Sequence, residues 1–218
     1  MELMSSQLTS EELARLRDPG IMVTNEKTLK QGLEGFKKHV EHMEEPYKSM
    51  YSYYAENTQI IADPLRGVYI GYDPTKDVLV YNRRVLGVVS RQQSANIIYS
   101  HEFAHRHDVL VVKSWENKNF TDAISSATQA IASDLSKYQD IYAALDNVNP
   151  AYQDILHVLS DGKVKTRFGH DSLYEKAKAL EIFANLSYIH ANHIETPAFD
   201  GVLQGVIDEY AKMHTGVI

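Results

Sequence analysis

The chain contains no cysteine in its 218 residues. That excludes disulfides and thiolate metal sites, so any metal must be held by histidine and carboxylate side chains. Long hydrophobic runs are missing as well. None approaches the ~18 apolar residues that a bilayer crossing requires, and no membrane partner is expected. Positive charge is not in excess: 22 Lys and Arg stand against 29 Asp and Glu, for a formal net charge of −7. Such a chain lacks the basic footprint of a nucleic-acid binder. Internal repeats, low-complexity tracts and Pro/Gly-rich linkers are also wanting. The expectation is one domain over residues 1–218, with residues 1–60 a helical segment packed on it. The opening MELMSSQLTSEELARL has no apolar h-region, so no signal peptide is expected.

What is present suits a folded chain: 44% of residues are hydrophobic and 23% charged, enough to bury a core without covalent staples. Residues 9–17 read as a short amphipathic helix. Residues 26–57 carry Leu29, Leu33, Phe36, Val40 and Met43 at three- and four-residue spacing, the mark of a helix, with Pro46 breaking or kinking it. Val68–Tyr72 and Val78–Tyr81 read as strands joined by the turn-forming DPTKD. From Gln92 the pattern QQSANIIYSHEFAHRHDVLVV predicts a buried helix, apolar on one flank at Ile97, Ala104 and Val111 and on another at Tyr99, Phe103 and Leu110. Helices follow around 121–145 and 150–160, then a turn-like SDGK, a helical stretch through ALEIFANL and a closing helix near 199–213. The fold class is α+β and helix-dominated, with a small sheet before the histidine-rich helix.

That helix carries the chemistry. His101 and His105, four residues apart, leave one face of a helix about a turn apart and can reach one Zn²⁺ together. Glu102 projects beside them, placed to take a proton from a water on the metal. A catalytic zinc needs a third protein ligand. The metzincin position, six residues after His105, is Val111, which excludes that arrangement. Candidates downstream are Asp161, His170, Glu175, Glu181, His190 and His193. Glu181 stands out because an unpaired carboxylate inside ALEIFANL would be costly.

HEFAHRHD together with DSLYEKAKALEIFAN resembles the gluzincin metallopeptidase domain of the anthrax lethal factor group. The longer string LSDGKVKTRFGHDSLYEKAKALEIFANL is similar to the peptidase domain of phage minor-capsid and head-morphogenesis proteins. Ala104 stands where the lethal factor group has Gly. The resemblance covers about residues 65–195 and implies a zincin-like domain, Zn²⁺ as cofactor, and a protein or peptide substrate. It implies His101, His105 and Glu181 as ligands, Glu102 as general base, and Tyr174 as the oxyanion's O–H donor. Asn185 and Asp108 become candidates for hydrogen bonds that orient the ligating imidazoles, and His170 for substrate contact. A phage- or prophage-related setting follows, in a bacterial cytoplasm or a virion. The alternatives are a zinc-containing phage assembly module without turnover and a metal-free helical interaction protein.

Overall fold

The structure, a computed structural model, describes residues 26–62, 70–81, 92–145, 150–164, 175–194 and 201–215. The fold is α+β and dominated by helices. Helices α1 (Glu26–Val40) and α2 (Tyr47–Asn57) are followed by strands β1 (Ile60–Ala62), β2 (Ile70–Asp73) and β3 (Val78–Tyr81). Then come α3 (Gln92–His107), α4 (Lys118–Ser133), α5 (Leu135–Ala144), α6 (Pro150–Leu159), α7 (Glu175–Ala191) and α8 (Gln204–Thr215). The helix expected over 9–17 lies outside the described residues. The run over 26–57 is interrupted as expected: α2 begins directly after Pro46, whose ring removes a backbone donor.

The expected hairpin is present, with Tyr72 opposite Leu79 and Asp73 opposite Val78. Its turn places Asp77 in the left-handed region at φ 52°, which Asp tolerates better than most residues. A strand the sequence reading did not foresee, β1, pairs parallel to β3, so β3 is central in the order β1-β3-β2. Every residue of β3 is buried, as expected of a strand paired on both sides and covered.

Two buried clusters meet along α3 and α7. One joins α1, α2, the sheet and α3 through Leu29, Leu33, Phe36, Tyr51, Leu79, Tyr99 and Phe103. The other joins α4, α6, α7 and α8 through Phe120, Ile131, Tyr152, Leu156, Phe183 and Tyr210. Gly32 lets α1 approach α3, since a Cβ there would lie 3.2 Å from that of Ala95. Helix α7 is buried from Ile182 to Ile189 on all sides, the pattern of a helix enclosed by its neighbours.

The structure corrects the reading of residues 108–112. Leu110 and Val111 were expected to continue the two apolar flanks of α3, yet they are 50% and 48% exposed. Asp108–Val112 forms a wider π-helical turn, and the change of pitch rotates both side chains off those flanks.

Candidate metal centre

The four-residue step on α3 brings His101 and His105 together, their Nε2 atoms 3.0 Å apart. Helix α7 packs against this face and delivers Glu181 from the edge of its buried run. Its Oε2 lies 3.3 Å from His101 Nε2 and its Oε1 3.5 Å from His105 Nε2. One ligand atom from each residue falls within a 4.8 Å group. Four tetrahedral ligands at ~2.0–2.1 Å from zinc stand roughly 3.3 Å from one another. The observed separations lie close to that value, with a different Glu181 oxygen nearest each imidazole, so the donor set suits a small dication in chemistry and in approximate spacing. Both imidazoles and the carboxylate are partly exposed, with side-chain exposures of 20%, 14% and 20%, so solvent reaches the site.

The charges agree with the geometry. Burial alone would lower the pKa of His101, but its hydrogen bond to Glu181 and the nearby carboxylates of Glu181, Glu102 and Asp154 push it up to about 9. Burial would raise Glu181, yet the charge of His105 and hydrogen bonds from both imidazoles hold it well below the usual carboxylate range. The metal-free site therefore holds a proton where a cation would sit.

Glu102 lies near enough to His101 for its charge to raise that imidazole, and its Oε2 accepts the peptide N–H of Tyr72 in the sheet at 2.6 Å. Asp108 is fully buried and sits one turn beyond His105. Its two oxygens accept the Ser114 N–H and hydroxyl, each at 2.6 Å, so its bonds close the turn after α3 and do not orient an imidazole. Burial raises its pKa to about 6, against these bonds and the pull of His105 and Lys176.

Asn185 also departs from expectation. Its amide reaches back to the Glu181 carbonyl at 3.0 Å and across to Asp154 Oδ2 at 2.7 Å, not to an imidazole. Asp154, on α6, is the acid that sequence reasoning missed. It lies within the apolar run of α6 between Tyr152 and Ile155, the same signal that singled out Glu181.

The other candidate ligands go elsewhere. Asp161 pairs with Lys178, Glu175 is exposed, and His193 stands 3.8 Å from exposed Glu44. His190 packs on Tyr210. Lys176 lies over the Trp115 ring, 4.3 Å from its centroid. His170 and Tyr174 lie outside the described residues.

No protein-family model, curated protein or solved structure matches this chain. Among the described residues no helix is long and apolar enough to cross a membrane.

Proposed function

We propose that this protein is a zinc-dependent metallopeptidase of the gluzincin kind, hydrolysing peptide bonds in protein or peptide substrates. One observation carries the reading. Two imidazoles from α3 and a carboxylate eighty residues away converge at the mutual spacing of a tetrahedral zinc site, with Glu102 next to the first ligand. Zinc bound there supplies a Lewis acid that polarises a carbonyl and acidifies water. Glu102 takes the proton of the attacking water and returns it to the leaving amine. Tyr174 donates its O–H to the developing oxyanion, a role supported by the resemblance. The phage-related setting is supported by the motif string over residues 159–186.

The reading is tested by zinc content and turnover together. Purified wild-type protein should carry about one zinc per chain, and Glu181→Ala much less, by mass spectrometry. Zinc-loaded wild type should degrade fluorescein-labelled casein, and Glu102→Gln should lower that rate by about 100-fold or more. Zinc binding with equal rates in wild type and Glu102→Gln would instead mark a zinc-containing assembly module. No zinc in wild type would overturn both.

A further inference from the structure

Beyond the three donors and their base, a closed circuit of polar contacts runs from α3 through the hairpin and back. Glu102 Oε2 accepts the Tyr72 N–H at 2.6 Å. The Tyr72 phenol donates to Asp77 Oδ1 at 3.0 Å, across the β2–β3 turn. Asp77 is gripped by Arg106, whose Nε and Nη2 donate to its two oxygens at 2.7 Å each. Arg106 stands four residues after Glu102 on α3, so both project from the same face of that helix.

Two of the four links are made by Tyr72 alone, at its backbone and at its ring. Arg106 is buried, and its remaining Nη1 holds the Asn57 carbonyl and the Thr58 hydroxyl at the end of α2. Its guanidinium also lies 5.0 Å from the Tyr54 ring centroid. Asp77 is held below the usual carboxylate range, chiefly by the hydrogen bonds from Arg106.

A bidentate fork fixes direction as well as distance. A lone surface ion pair would stabilise little, so this buried and heavily coordinated arginine calls for another account. We propose that the Arg106–Asp77 fork is a positioning device for Glu102: it clamps β2 against α3 so that the Tyr72 N–H holds one oxygen of the base and leaves Oε1 to accept the proton of water. Arg106 and Asp77 touch no reacting atom; they act through Tyr72 and Glu102. The inference rests on the peptidase reading for its consequence and on these contacts for its geometry.

The test uses the zinc-loaded full chain with Asp77→Asn, which keeps a side chain suited to the left-handed backbone at φ 52° and removes the charge. Exchange protection of the Tyr72 amide should fall about tenfold, the equivalent of one hydrogen bond to a charged group. Turnover of labelled casein should lose roughly tenfold to a hundredfold in kcat, with KM and zinc content unchanged, the scale of a misplaced reacting group. In the Glu102→Gln background, Asp77→Asn should cost nothing more, because both act on one group. Arg106→Lys, which keeps the charge and loses the fork, should fall between wild type and Arg106→Ala.

A fall in amide protection without a fall in kcat would overturn the positioning role. So would unchanged protection. If zinc-loaded wild type itself cleaves nothing, the peptidase reading fails and the catalytic consequence falls with it, while the amide measurement still decides the clamp.

Discussion

His105 and His107 are two residues apart on α3, yet they belong to opposite environments. His101 and His105 face α7 and the Glu181 carboxylate, and His101 holds its proton up to about pH 9. His107 turns toward Tyr54, whose hydroxyl meets its Nδ1 at 3.0 Å, and it stacks near His214 with ring centroids 6.1 Å apart. Burial pushes His107 down to about 4. His214, enclosed by Tyr47, Phe183 and Tyr210, is pushed down to about 3, mainly by burial and further by His107 and His190. Residue type is constant and the helix is shared; the carboxylate makes the difference. Where Glu181 is present, its charge and hydrogen bond outweigh burial, and His101 keeps its proton. Where aromatic rings replace it, burial expels charge, and His214 Nε2 has no hydrogen-bond partner among the described residues.

Removing that carboxylate should break the contrast most completely. Glu181→Ala should weaken zinc binding by at least about 100-fold, since outer partners of a ligand alone are worth 10–100-fold. Titrated by NMR without metal, His101 in this variant should fall toward the values of His107. On the proposed zinc reading, zinc binding in wild type displaces the His101 proton. Its affinity should therefore drop about tenfold per pH unit from roughly pH 9 to pH 7, read by competition with a chromophoric chelator.

The fold's own stability should follow with opposite signs in the two regions. His101 is raised above its unfolded value of ~6.5, so in the metal-free protein its contribution is fully present below that pH and is lost as pH climbs through about 9. His214 is depressed, so the fold is unharmed above pH ~6.5 and loses stability as pH falls toward 3, where the native ring finally takes a proton. Replacing His214 with Phe should suit its aromatic surroundings. We expect a gain of about 1 kcal/mol at pH 7, from removing an unpartnered polar atom. At pH 5 the gain should grow by up to about 2 kcal/mol, from removing one titrating group. Urea denaturation at both pH values checks it; equal curves would mean that His214 is hydrated in the native state.

The carboxylate side was far more legible in sequence than the aromatic side. His101 and His105 are tied by helix periodicity, and Glu181 by its cost inside an apolar run, so each announces itself locally. The hairpin was legible from DPTKD between two β-rich runs. Nothing local announces that Tyr72, Asp77 and Arg106 close a ring with Glu102, because contacts across thirty residues leave no period. Strand β1 was missed for the same reason: three residues, Ile60–Ala62, become a strand only by pairing with β3. The π-helical turn at Asp108 escaped because DVLVV continues an apolar helical pattern, while the Ser114–Asp108 bonds that close the turn depend on geometry. The aromatic surroundings of His107 and His214 come from α2, α7 and α8 packing together, which no local pattern encodes.

The smallest change that still tests the contrast is Tyr54→Phe. It removes one hydroxyl from the aromatic side, leaving His107 Nδ1 without its partner and the ring packing on Phe103 and Arg106 in place. A buried nitrogen left unsatisfied costs about 1–3 kcal/mol, and the partly exposed ring of His107 places this case near the lower end. Zinc content should stay at the wild-type level, because His107 contributes nothing to the donor set on the opposite face. A loss of zinc in Tyr54→Phe would mean that the two faces of α3 move together, so that the aromatic side sets the spacing of His101 and His105 as well as its own.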